Sequence, residues 1–325
     1  MTATLVDSEV LADAVALACR APSLHNSQPW RFVTDGVELQ LFLDPGRIVH
    51  SADRRKRQAL ISCGAVLDHL TVAMAAAGWA SVVDRFPDPG DPEHLATVTF
   101  APMRTTPAHR RRADAILTRR TDRLPMAAPL DWEPLAAMLY AAVDDAVAHL
   151  DVLDDDARAE LAQASALTET LRMYDSSYHA ELYWWTRAYN PVAGIPPSAL
   201  LSAAETDRVD VARAFPVTDY RQRRPEIAED QSKIVVLSTD ADTRENALRC
   251  GEMLSRVLLE CTLAGLATCT VTHVTELSAT RAVIDTLTSR DTWPQALIRV
   301  GVAPTADSEL PPTPRRPVRA ALTFR

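Results

Sequence analysis

The stretch Ala21–Trp30, APSLHNSQPW, places five polar side chains (Ser23, His25, Asn26, Ser27 and Gln28) within six positions between two prolines. Pro22 and Pro29 hold the chain extended and bias the residue before each away from helix. A solvated turn would have this composition. This one, however, runs directly into Trp30-Arg31-Phe32, which pins the loop to a core and leaves its polar groups to point at a ligand. A second stretch, Arg119-Arg120-Thr121-Asp122-Arg123, brings three guanidinium groups and a hydroxyl together. Guanidinium stays charged and forks onto phosphate oxygens; taken alone, such a run is also what a solvated face looks like.

Composition narrows the chemistry. The chain has 325 residues, 47% apolar and 24% charged, which is enough for a large core. Its nine glycines are nowhere closer than ten positions, so neither a glycine-rich dinucleotide turn nor a glycine-rich phosphate loop is present. A phosphate must be held by side chains and helix ends. Lysine occurs twice, at Lys56 and Lys233, so charge-assisted binding falls to arginine. A net charge of −9 argues against nucleic acid as a partner. The five cysteines form no C-x-x-C pair and the eight histidines no metal spacing, so we expect reduced thiols, no metal and a cytoplasmic protein. The N-terminus lacks a basic leader, and the uncharged apolar stretch Leu70–Val83 is too short to cross a membrane.

The elements that must position these residues are arranged twice. CGAVLDHLTVAMAAAGW (Cys63–Trp79) and CGEMLSRVLLECTLAGL (Cys250–Leu266) align at a constant offset of 187, with identities at Cys63/Cys250, Gly64/Gly251, Leu67/Leu254, Ala77/Ala264 and Gly78/Gly265. Both have helical apolar spacing, and each is followed by a strand-like run ending in Ala-Pro (Leu95–Pro102 and Ala296–Pro304). A duplicated unit in one chain mimics a two-fold dimer, and its two equivalent interface sites are free to diverge. Helices are expected at Asp7–Arg20, Ala108–Arg120, Trp132–Val143 and Asp156–Trp185. Strands are expected at Arg31–Thr34 and Val37–Asp44 around an Asp35-Gly36 turn, at Ala146–Leu153 and at Lys233–Ser238. Leu171, Tyr174, Tyr178, Leu182 and Trp185 fall on one helical face, so they read as core.

The pattern P-S-x-x-N-x-Q-P-W resembles the signature loop of the nitroreductase superfamily of FMN-dependent proteins, most closely the dormancy-associated, nitroreductase-like FMN proteins of mycobacteria. The resemblance implies an α+β nitroreductase fold, with two homologous halves fused into an intrachain pseudo-dimer: residues 1–107, and 108–325 with a lid-like insert near 174–201. It implies that Pro22, Ser23, Leu24 and Asn26 contact FMN. Arg119, Thr121 and Arg123 are similar to the family's R-R-S-x-R segment, which holds the phosphate and ribityl chain. The first half lacks that motif, so one flavin per chain is implied. Aligning AGLATCTVTHVTE (Ala264–Glu276) with the family places Thr272 and His273 beneath the ring, with a backbone N–H donating to flavin N5; a backbone role is preferred to a His273 side-chain acid. Arg315 and Arg316 resemble the basic segment that closes over the phosphate, although a solvated tail has the same composition. The implied activity is NAD(P)H-linked reduction of a small electron acceptor by a monomer. The alternative is a flavin-binding or flavin-storing protein whose lid permits little turnover.

Overall fold

The computed structural model describes residues 5–187, 192–288, 290–304 and 312–325, to which all structural statements here refer. Helix α1 (Ser8–Ala18) is capped by Asp7, whose side chain accepts from the Glu9 N–H. Strands β1 (Trp30–Thr34) and β2 (Glu38–Leu43) form the expected hairpin. Asp35 Oδ1 accepts from the N–H groups of Val37 (2.9 Å) and Glu38 (3.0 Å), and Gly36 takes the positive φ of 89° that the turn needs. The chain continues through α2 (Arg57–Ala76), β3 (Trp79–Arg85), β4 (His94–Pro102), α3 (Pro107–Thr118), α4 (Trp132–Ala142) and β5 (His149–Val152). Then come α5 (Arg158–Arg172), α6 (Ser176–Thr186), the short α7 (Ala203–Thr206), β6 (Lys233–Thr239) and α8 (Arg244–Leu263). The last elements are β7 (Ala267–Val271), α9 (Ser278–Thr288), β8 (Trp293–Gly301) and β9 (Leu322–Phe324).

The strands form two sheets, ordered β3-β4-β2-β1-β9 and β5-β6-β8-β7. Apart from β9, both are antiparallel and their orders correspond: β1, β2, β3 and β4 occupy the places of β5, β6, β7 and β8, with a 20-residue helix after the second strand of each set. The fold is therefore α+β. Strand β9 pairs in parallel with β1 (Phe32 opposite Leu322), so the tail assigned by sequence to residues 108–325 ends in the first sheet.

Helices α2 and α8 pack against each other at Gly64 and Gly251. A Cβ on Gly64 would lie 1.8 Å from the Leu248 carbonyl oxygen, and one on Gly251 would lie 2.0 Å from that of Ile61. The repeat offset exchanges the two contacts, taking Gly64 to Gly251 and Ile61 to Leu248, as an isologous interface requires. Ser255 Oγ donates to Asp68 Oδ2 at 2.6 Å across the same axis, also between equivalent positions. Around this crossing one apolar core joins both helices to the first sheet and one face of the second. The other face of the second sheet is covered by Leu161 of α5 and Ile284 of α9. That double cover explains why β6 carries the unbroken apolar run Ile234–Leu237, with no alternation of faces. Helix α2 has the length and composition of a membrane span, but 83% of that window is buried inside the fold.

One expectation fails locally. The helix read over Asp156–Trp185 is two helices, because Asp175 accepts from the Tyr178 N–H (3.0 Å) and caps α6. The break rotates the supposed core face. Tyr178, Leu182 and Trp185 are buried, whereas Leu171 is 55% and Tyr174 93% exposed. Tyr189, Asn190 and Pro191, part of the proposed insert, lie outside the described residues.

Replacing Gly64 or Gly251 with alanine should prevent the helices from closing, since the obstructing atoms are backbone. A loss of about 3 kcal/mol or more is expected in urea denaturation followed by circular dichroism; the control Gly265→Ala has open space around its Cβ and pays only for its positive φ.

Candidate functional site

Two adjoining cavities lie where the units meet. The narrower, of about 170 Å³, is walled by Pro22, Ser23, Leu24 and His25 of the polar loop, by Gln58, Ile61 and Ser62 of α2, by Leu254 of α8 and by Cys269–His273. Its remaining wall runs from Leu201 to Phe215. The wider, of about 720 Å³, is walled by Arg20, by Leu117–Leu124, and by Arg223, Arg224, Thr313 and Arg315. Thr121 and Arg123 line both cavities and so join them.

Burial makes the wider cavity strongly cationic. Arg119 is 7% exposed; its Nη2 donates to the Arg20 carbonyl at 3.3 Å, and its Nε has no partner. Burial, with Arg20 beside it, pushes its pKa down to about 10. Arg315 donates to the carbonyls of Arg20 (2.9 Å) and Cys19 (3.1 Å); burial, Arg119 and Arg20 push it down to about 9. The Arg20 Nε is also buried without a partner. Arg223 and Arg224, by contrast, are paired with Glu205 (2.8 Å) and Asp122 (2.6 Å). Among the described residues Arg20, Arg119 and Arg315 have no carboxylate partner. Like charges buried together without one are costly, so the donor set fits a phosphate.

At the opposite end, Thr272 begins a short 3-10 turn, His273–Thr275, whose first N–H groups have no partner within the turn. The His273 ring turns aside: its Nε2 lies 2.7 Å from Ser165 Oγ, and burial holds its pKa well below the usual imidazole range. Its Nδ1 is buried without a partner. Thr272 Oγ1 donates to Gln58 Oε1 (2.6 Å), and Gln58 Nε2 donates to Glu276 Oε1 (2.9 Å). The fully buried Glu276 carboxylate is paired with Arg172 and Arg213.

Of the residues singled out from sequence, Pro22, Ser23, Leu24, Thr121, Arg123, Thr272 and His273 line the narrow cavity, while Arg119, Thr121, Arg123 and Arg315 line the wide one. Asn26 and Arg316 line neither. The Asn26 amide donates to the carbonyls of Gly194 (3.0 Å) and Pro314 (2.9 Å). Arg316 donates to the carbonyls of Gln28, Trp30 and Ala320. Both tie the tail to the polar loop. The sequence reading missed Gln58, Arg213 and Phe215. Gln58 opens the repeat helix, a position that deserved inspection, but nothing local marks Arg213 or Phe215. The insert near 174–201 adds only Leu201 to the narrow cavity; Tyr178, Leu182 and Trp185 pack on Val49, Ala52 and Leu24.

No family model matches the chain. A Mycobacterium tuberculosis protein provisionally named NAD(P)H nitroreductase acg is 55% identical over 319 residues, covering 98% of this chain and 96% of that one. A second M. tuberculosis protein with the same provisional enzyme name is 37% identical over 321 residues, covering 95% and 90%. Solved structures that resemble it include an FMN-bound nitroreductase of Desulfitobacterium hafniense (TM-score 0.42, 10% identity, 66% of this chain and 98% of that one). Another is NfnB of Mycobacterium smegmatis in complex with NADPH (TM-score 0.40, 14% identity, 66% and 99%). Full-length identity to the mycobacterial relatives carries the conclusion: the chain belongs to the nitroreductase family.

Proposed function

We propose that the chain binds one FMN noncovalently, with the ring in the narrow cavity and the phosphate in the wide one, and uses it for NAD(P)H-linked reduction of a small electron acceptor. The observation that carries this reading is the buried cluster of Arg20, Arg119 and Arg315, cations without a carboxylate beside a slot lined by the polar loop. Bound FMN would supply the hydride chemistry. Arg119 and Arg315 hold the phosphate, and Thr121 and Arg123 bridge to the ring cavity. The N–H groups at Thr272 and His273 offer donors to the ring, while Leu201 and Phe215 exclude water. One site per chain is supported by the other unit. There the places of Thr272 and His273 are taken by Arg85 and Phe86, and Arg85 forms two bonds to Glu252 (2.8 and 2.7 Å).

One observation favours the second reading, a flavin-storing protein with little turnover. The Leu201–Phe215 wall covers the slot, with Phe215 edge-on to His25 (5.7 Å between ring centroids) and Arg123 over its face (5.3 Å). A nicotinamide must approach within about 3–3.5 Å of the reacting atom.

Arg119→Ala and Arg123→Ala should each weaken FMN binding about ten- to hundred-fold in a fluorescence titration, because a charge-assisted bond is worth roughly 1.5–3 kcal/mol. Riboflavin, which has no phosphate, should be indifferent to Arg119. The charged guanidinium groups bind the anion, and burial beside other cations lowers the pKa values of Arg315 and Arg119 to about 9 and 10. FMN affinity should therefore be flat near neutrality and fall as pH rises through that range, while riboflavin affinity does not. Equal pH profiles for the two flavins would remove the phosphate assignment.

Anaerobic mixing with NADH or NADPH separates the two readings. Rapid bleaching of the flavin in wild type supports turnover. Slow bleaching that quickens in Phe215→Ala, at unchanged FMN content, supports the covered store. Both cavities draw on both units of a single chain, so sedimentation at a monomer's mass is expected, with FMN retained on dilution.

A further inference from the structure

His25 has no hydrogen-bonding role within the fold. It is 5% exposed, lines the narrow cavity, and neither ring nitrogen has a hydrogen-bond partner. Buried polar nitrogens left unpaired are costly, so such a group calls for an explanation. The backbone adds a second observation. His25, Asn26 and Gln28 have φ of 50°, 57° and 53°, three non-glycine residues in the left-handed region within four positions. The loop holds this conformation because its flanks are tied. Asn26 Nδ2 is bonded to Gly194 and Pro314, Gln28 Nε2 donates to the Val192 carbonyl (2.8 Å), and Arg47 Nε donates to that of Ser27 (2.6 Å). Asn26 and Gln28 gain bonds from the strained backbone; His25 gains only its place in the cavity wall, edge-on to Phe215. Burial, with Arg213 and Arg123 nearby, holds its pKa well below the usual imidazole range, so it is neutral and offers one N–H donor and one bare acceptor nitrogen.

We propose that His25 is a hydrogen-bonding residue for the amide-type edge, a C=O beside an N–H, of a planar heteroaromatic ring bound in this cavity. The inference rests on the flavin reading above and deepens it. Two rings carry that edge: the pyrimidine side of the flavin and the carboxamide of a nicotinamide. A strained loop that presents a neutral donor–acceptor pair is a preorganised contact, with the ordering cost already met in the empty protein.

The test compares wild type with His25→Phe, which keeps a planar ring without nitrogens, and His25→Asn, which keeps a donor and an acceptor. Flavin-free protein is titrated with FMN by fluorescence. The FMN-loaded forms are then titrated with tetrahydro-NADPH, which cannot donate hydride, by the shift in flavin absorbance. His25→Phe should lose about tenfold in affinity for the ring that His25 contacts, and His25→Asn should retain most of it. A loss for FMN assigns the contact to the flavin. A loss confined to tetrahydro-NADPH assigns it to the nicotinamide. The flavin-free His25→Phe protein should also melt higher than wild type, because two unpaired buried nitrogens are gone. Wild-type affinity of His25→Phe for both ligands, or an Asn variant as weak as the Phe variant, overturns the proposal. If His25→Phe does not fold, His25→Leu carries the same comparison. Wild-type protein that takes up no FMN overturns the flavin reading itself; a His25→Phe protein that melts no higher overturns the unpaired-nitrogen argument independently of any ligand.

Discussion

The close approach of α2 and α8 at Gly64 and Gly251 governs the rest of the structure. Helices normally keep axes 8–10 Å apart because side chains fill the gap. Here each glycine faces a carbonyl oxygen of the other helix at a distance no Cβ could share. Two long helices locked this way fix the orientation of the sheets attached to them. The same helices also supply part of the narrow cavity: Gln58, Ile61 and Ser62 from one, Leu254 from the other. The candidate site is built partly on these two long, largely buried helices, while the wall from Leu201 to Phe215 comes from the chain after α6, which includes the short α7. Rigid floor and separate cover are thus different pieces of chain.

Buried charge is managed in two contrasting ways. Glu276 is enclosed by Arg172, Arg213 and Gln58, and Asp230 accepts from Arg158, Arg299 and the Met126 N–H. These ion-paired networks hold the chain: Arg299 also donates to the carbonyls of Arg123 and Leu124, fixing the backbone of the arginine-rich segment. The Arg20, Arg119 and Arg315 cluster is the opposite case. Its positive charges come from three distant segments; Arg119 and Arg315 donate only to carbonyl oxygens, and burial together with the neighbouring cations pushes their pKa values down. Glu276 and Asp230 are paired with arginines, whereas Arg20, Arg119 and Arg315 have no carboxylate partner among the described residues.

The correspondence of the two units is topological, and their chemistry has diverged. Gly64 and Gly251 make matching contacts across the axis, whereas the equivalent Asp68 and Ser255 differ in type, so the interface is not symmetric in every detail. The place equivalent to Thr272 carries Arg85, held by Glu252, and Phe86 stacks with Arg244 (5.8 Å). The tail crosses back to the first sheet through β9, and Asn26 and Arg316 fasten it to the polar loop.

The sequence by itself determined whatever depends on neighbours along the chain. Periodicity marked the paired long helices, the Asp35-Gly36 turn marked a hairpin, and the constant offset of 187 exposed the repeat. The polar loop and R-R-T-D-R were legible because their side chains lie within a few residues of one another. The Asp175 cap was equally local, and overlooking it put Leu171 and Tyr174 in a core they do not enter. Only the tertiary structure decided which of 32 arginines lack a carboxylate, since ion pairing acts through space and joins residues as distant as Arg224 and Asp122. It alone joined His25, Gln58, Arg213 and Phe215 around one slot, and it alone showed that Asn26 and Arg316 tie the loop to the tail. Burial and desolvation are properties of the packed whole, so the cost of an unpaired group becomes visible only when the chain has closed around it.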